Sequence, residues 1–204
     1  MKKITSLIIC IMLVLPILPF VVSAGDEENP EIEDPEDDVL LFAMHQMPIL
    51  GKFFKHFDII SSWFHEDSDE PDILYITMKV KRYKPARQMA FYSVFWYNKD
   101  IQYAAVIITS RGEDIYSGIQ INESNFVPVE DFYTINKEEN KITFAIPKDI
   151  IDNPQPGDTL NNPSALGGVR FISENLSNLL MRLFGTNVLA VDFTDNGMDY
   201  TIEI

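Results

Sequence analysis

From residue 58 onward, apolar and polar positions alternate with a period of two. Leu74, Ile76, Met78 and Val80 fall on one side of such a run, and Tyr75, Thr77, Lys79 and Lys81 on the other. Successive side chains of a strand point to opposite faces, so this pattern predicts a half-buried strand. Ile142, Phe144 and Ile146 alternate with Lys141 and Thr143, and Met198, Tyr200, Ile202 and Ile204 alternate with Asp199, Thr201 and Glu203. Residues 89–97 and 101–109 are apolar on both faces, which predicts strands covered on both sides. Asn98-Lys99-Asp100 between them reads as a hairpin, and Arg111-Gly112-Glu113-Asp114 as a second turn leading into a strand over 115–121. A further short strand is expected over 126–135. Strands of this length with turns about every ten residues indicate an antiparallel sandwich or barrel.

Two stretches depart from that rhythm. Residues 153–163 carry three prolines and one glycine and read as a long surface loop. Residues 169–184 place Ile172, Leu176, Leu179, Leu180 and Leu183 on one helical stripe, with Gly185 as a C-terminal cap. The expected fold class is therefore mainly β: an antiparallel, jelly-roll-like β-sandwich with one amphipathic helix near the C-terminus.

The N-terminal third follows other rules. Lys2 and Lys3 precede an apolar run from Ile4 to Val22, and Val22-Ser23-Ala24 supplies small residues before Gly25. A basic start, an apolar middle and a small-residue end form a secretory signal pattern over residues 1–24. Pro16 and Pro19 break the run as a spanning helix, against retention as an anchor. Cleavage would leave 180 residues, enough for one domain with its own core. The only cysteine, Cys10, would leave with the signal, so no disulfide is expected and the core must hold the fold. Asp26 to Asp38 contains nine acidic residues in thirteen, which predicts a disordered acidic spacer over 25–38. Residues 39–56 turn apolar, with two helical turns possible before Pro48, and read as a lead-in packed against the domain at 57–204.

Charge narrows the partners. The formal net charge is −15, and loss of Lys2 and Lys3 takes it to −17. Such a surface repels nucleic acid and anionic lipid, and suits cations, basic partners, neutral sugars or plain solubility. No second apolar run is long enough to span a bilayer.

The usual catalytic motifs are missing: there is no G-x-S-x-G elbow, H-E-x-x-H, phosphate loop or dinucleotide fingerprint. His45, His56 and His65 lack metal-ligand spacing. A hydrolase would need a facing carboxylate pair in a deep cleft, which only spatial arrangement reveals. The expectation is a protein that is not an enzyme, has no catalytic residue and carries no cofactor, with calcium as the one candidate ion. Glu66-Asp67-Ser68-Asp69-Glu70-Pro71-Asp72 lies between two strands, and Asp67, Asp69 and Asp72 are its candidate metal ligands. The D-x-D spacing favours calcium, while the glycine and distal glutamate of a full loop are missing; a solvated turn is the plainer reading. For a ligand site the candidates are Trp63, Trp96, Tyr97 and Tyr103, with Tyr92 beside them. Flat aromatic rings stack on the apolar C–H faces of sugars, although a sandwich core also needs aromatics. Asn122-Glu123-Ser124 matches the glycosylation sequon, making Asn122 a candidate glycan site; Asn175-Leu176-Ser177 matches it inside the expected helix.

The run from Asp58 to Lys81 resembles the opening of DOMON-like and family-9-type carbohydrate-binding sandwiches. Asp58-Ile59 matches their first strand, residues 66–72 the acidic turn, and Leu74-Tyr75-Ile76-Thr77-Met78-Lys79-Val80 the next strand. Residues 142–158, ITFAIPKDIIDNPQPGD, resemble a later strand and loop, and the mixture looks like secreted archaeal proteins. The resemblance implies a jelly-roll-like sandwich that binds carbohydrate or another cell-surface component at the cell envelope. Sugar-binding members use paired tryptophans, for which Trp63 and Trp96 are available. Heme-binding members use Met and His; here Met78 falls on the buried face and no later strand carries a histidine. The alternative class is a structural or protein-interaction module of the cell surface, with buried tryptophans and an apolar patch over 40–54.

Overall fold

The computed structural model describes residues 25–41, 55–85, 89–111, 113–122, 124–170, 188–195 and 197–204. Alternation builds most of it. The strands in chain order are β1 (Ile32–Glu33), β2 (Leu40–Leu41), β3 (Ile59–Glu66), β4 (Ile73–Val80), β5 (Met89–Asn98), β6 (Ile101–Ser110) and β7 (Glu113–Ile121). There follow β8 (Asn125–Pro128), β9 (Tyr133–Asn136), β10 (Lys141–Pro147), a single 3-10 turn at Lys148–Ile151, β11 (Thr159–Arg170), β12 (Val188–Thr194) and β13 (Tyr200–Thr201).

They form two antiparallel sheets. The smaller has the order β1-β3-β4-β10-β9, and the larger β2-β12-β11-β5-β6-β7-β8, with β13 added to the start of β11. The chain passes from one sheet to the other at both lateral edges, through residues 34–39 and again through 129–132. Between the sheets lies one apolar core. Ile76, Met78, Ile142 and Phe144 from the smaller sheet join Tyr92, Val94, Trp96 and Ile107 from the larger one, all buried. Phe64 shows the two layers meeting: its ring stands edge-on to Trp96 at 6.1 Å and stacks on Tyr200 at 5.4 Å. Each large apolar side chain so buried contributes about 1.5–3 kcal/mol.

The two-faced runs are explained by position. In β5, Ala90, Tyr92, Val94 and Trp96 face the core, while Phe91 and Phe95 lie half-buried on the outer face. The outer face is thus only half-buried among the described residues, short of the cover expected on both sides, as in antiparallel sheets with one face on the core and one toward solvent.

Four expectations need correction. The segment at 25–38, expected to be a free spacer, carries β1, whose Ile32 is fully buried and pairs opposite Ser62. In the apolar lead-in, Leu40 and Leu41 are strand, paired with Val191 and Ala190, rather than helix; residues 42–54 lie outside the described residues. The loop expected over 153–163 ends early, because Thr159 opens β11. The helix expected over 169–184 is not seen: Val169 and Arg170 end β11, and 171–184 lie outside the described residues.

Candidate functional site

Trp63 and Trp96 do not form a pair. Trp96 is buried in the core, stacked on buried Tyr103 at 5.9 Å. Trp63 sits in the other sheet, next in sequence to core-facing Phe64 and so on the opposite face; the Lys141 ammonium lies 5.7 Å from its ring centre and little of it is exposed. Tyr97 alone among the nominated aromatics reaches solvent, lining a shallow hollow with Lys99, Asp100, Asn161 and Asn162. Asp67, Asp69 and Asp72 occupy an exposed turn, where the Asp67 carboxylate accepts the Asp69 backbone N–H at 2.9 Å. They are not among the groups that converge on one point. Asn122 is exposed at the turn after β7, as a glycan acceptor would be, and its side-chain oxygen accepts the Gln102 N–H at 3.3 Å.

An aromatic cleft forms elsewhere, on the outer face of β7 and β8. Its origin is Gly118. In the β7–β8 register Gly118 pairs with Pro128 and Gln120 with Phe126, so Tyr116, Gly118, Gln120 and Phe126 share a face. Gly118 has φ +154°, open only to a residue without a side chain. A methyl group there would overlap the Val127 carbonyl and lie 2.8 Å from the tip of the Phe126 ring. The bare position lets Phe126 lie across the strand and stack on Tyr116, with ring centres 3.8 Å apart and planes 20° from parallel. Asp114 accepts the Tyr116 N–H at 3.0 Å and fixes the start of the platform. Asp114, Ile115, Ser117, Val129 and Glu130 complete an open cleft of about 440 Å³. Its chemistry is a flat apolar slab with two acidic residues, Asp114 and Glu130, in its lining.

A second constellation lies at the opposite lateral edge, where the chain crosses from β1 to β2. Carboxylate oxygens of Asp34, Asp38 and Asp192 come within 4.8 Å of one another, the one such group among the described residues. Asp192, 2 % exposed, accepts the Ile59 N–H at 2.6 Å. Burial pushes Asp34 up to about 6 and Asp192 up to about 9, and their neighbours' negative charges add to the effect. Beside them Asp58 is fully buried and also raised by burial; it accepts the Asp37 N–H at 3.1 Å and faces Lys81 at 3.7 Å. Asp34, Asp38 and Asp192 are the residues whose oxygens could share a hard cation; short of one, they share protons.

A pH dependence follows. Groups whose folded pKa is raised stabilise the fold fully below their unfolded values, and that stability is lost as pH climbs through the folded ones. Melting temperature is therefore expected to fall between pH 5 and 9 in chelator-treated buffer, as Asp34 passes about 6 and Asp192 about 9. Asp192→Asn keeps the acceptor for Ile59 and should flatten the alkaline part of the curve. A flat wild-type profile over this range would count against shared protons.

Neither constellation was legible locally. Asp34 and Asp192 are separated by most of the chain, and Gly118 stands in a run of ordinary strand residues. A glycine inside a strand pattern was the one available signal. No family model, no curated protein and no solved structure matches the chain. No helix among the described residues is long and apolar enough to cross a membrane.

Proposed function

We propose that the protein is an exported, non-catalytic binding module of the cell envelope, a jelly-roll-like β-sandwich whose cleft takes a neutral carbohydrate or a similar small ligand. The observation that carries this reading is the Tyr116–Phe126 platform, stacked and opening to solvent on the outer sheet face. A stacked ring pair offers a broad surface to the C–H face of a sugar ring, and release of water from both surfaces drives the contact. Asp114 and Glu130 line the same cleft, and their carboxylates can accept from hydroxyl groups. The carboxylates and the net charge of −15 turn anionic ligands away. Export rests on the signal pattern of residues 1–24.

Titration calorimetry against a panel of neutral oligosaccharides tests the reading. A saturable heat is expected, and Tyr116→Ala should weaken the affinity about tenfold or more, equivalent to about 1.4 kcal/mol. Absence of any sugar binding, or an affinity indifferent to Tyr116, refutes it.

A second reading has its own support. The outer face of the larger sheet carries Phe193, half exposed, near half-buried Leu166, Phe91 and Phe95. An apolar sheet face of this kind suits contact with a protein of the cell surface, and crosslinking in whole cells separates it from sugar binding.

A further inference from the structure

Gly25 is the residue that the signal pattern makes the first of the mature protein. Gly25 is buried, and a short loop accounts for its position. Asp26 accepts the N–H groups of Glu28 at 2.8 Å and Asn29 at 2.7 Å, bending the chain back on itself. Glu27 then pairs with Lys79 and, at 2.8 Å, with Lys141 on the outer face of the smaller sheet. This turn returns Gly25 to Glu31, the residue before β1. The two are in such close register that a methyl group on Gly25 would overlap both oxygens of the Glu31 carboxylate.

Glu31 is an unusual acid. It is 8 % exposed, and one oxygen accepts the Phe64 N–H at 2.9 Å. Among the described residues it has no ion pair. The titratable groups acting on it or feeling its charge are Asp26 and Tyr200, neither of which brings positive charge. Burial accordingly pushes its carboxyl up to about 7 in the unprocessed chain. A buried carboxylate with no cation, pressed against the α-carbon of one particular glycine, lacks one thing that processing supplies.

We propose that cleavage of the Ala24–Gly25 bond completes this site, the new α-ammonium of Gly25 forming a buried ion pair with Glu31 that fastens the N-terminal loop to the sheet edge. The step is hydrolysis by a signal peptidase. Water adds across the amide, the C–N bond breaks, Ala24 leaves as a carboxylate, and the Gly25 nitrogen takes up protons to become an ammonium. The bare α-carbon of Gly25 lets the carboxylate approach this closely. The site's ligand is thus the chain's own amino terminus, and the processed protein differs physically from the precursor. The inference rests on the signal-cleavage reading and is independent of the aromatic cleft.

The test compares four chains: one beginning at Gly25, freed from a fusion by a protease that leaves a native terminus; one beginning at Ala24; and the Glu31→Gln form of each. At pH 6.5 the Gly25 chain is expected to melt about 3–6 °C above the Ala24 chain, and the gap should vanish in the Glu31→Gln pair. The gap should also close above about pH 8 to 9, as the amino group loses its proton. In the Gly25 chain the 15N-labelled terminal amine should titrate above the ordinary value of about 8. Equal melting temperatures, or a gap that survives Glu31→Gln, would overturn the inference. N-terminal sequencing of the exported protein addresses its premise separately: a start at Gly25 supports it, and a start elsewhere overturns it.

Discussion

Lys148→Ala is expected to destabilise the protein by about 3–5 kcal/mol, the usual cost of stranding a buried charge. Lys148 is 4 % exposed at the start of the 3-10 turn. Its ammonium lies 2.5 Å from Glu66 and 2.5 Å from the Ile204 carbonyl oxygen. The other Glu66 oxygen accepts the Tyr200 hydroxyl at 3.0 Å and the Glu203 N–H at 2.6 Å. Removing the lysine leaves that carboxylate, 1 % exposed, without its cation and frees the last residues of the chain. Thermal unfolding should show a midpoint about 10 °C lower, and urea unfolding a lower midpoint concentration. Adding Glu66→Gln should recover part of the loss, because glutamine keeps the acceptor without the charge. A loss below about 1 kcal/mol would show that water reaches the pair in solution.

The second large effect concerns the platform. Gly118→Val is expected to cost about 2–3 kcal/mol or more, since the new side chain meets the Val127 carbonyl and the Phe126 ring, in a backbone conformation that only glycine adopts readily. Ligand affinity should fall further than in Tyr116→Ala, because the ring is displaced rather than trimmed. Pairing Gly118→Ala with Phe126→Leu should return some stability and no binding. If the valine variant bound ligand normally, the stacked pair would not be the binding surface.

The strongest signals in the sequence concerned strands that obey one rule at a time. β4 and β10 alternate cleanly and pair in register from Lys79 opposite Lys141 to Ile73 opposite Pro147. The two ends of β11 read as loop and helix in the sequence because the strand breaks the usual rules. It contains Pro163, which falls at an irregularity between Asn161 and Ser164, and Gly167, where a side chain would press within 2.9 Å of the Phe57 carbonyl. The demand for small residues there comes from a segment a hundred residues away and leaves no local trace. β1 hid in the same way, as one buried isoleucine among acids. The C-terminal alternation is met in part: Tyr200 and Ile202 are buried, but only Tyr200–Thr201 is strand. The run over 126–135 divides into β8 and β9, which belong to different sheets. As for the sites, aromatic content pointed toward stacking chemistry. Which rings surface depends on which face each strand turns inward, and that is decided by partners that periodicity does not name.

The pairing of β11 bears on how the chain can assemble. Its neighbours on one side are β5, completed some sixty residues earlier, and on the other β12 and β13, at the tail. The first strands wait on the same stretch: β2 on β12, and Ile59 on Asp192. A polypeptide emerging from its N-terminus can zip β5 through β8 by successive hairpins. The flank of β5 stays unsatisfied until β11 has been delivered some sixty residues later, so the half-delivered molecule offers a sticky border to its neighbours. Truncation within β11 would leave that border open, tying the hazard of aggregation to residues 159–170.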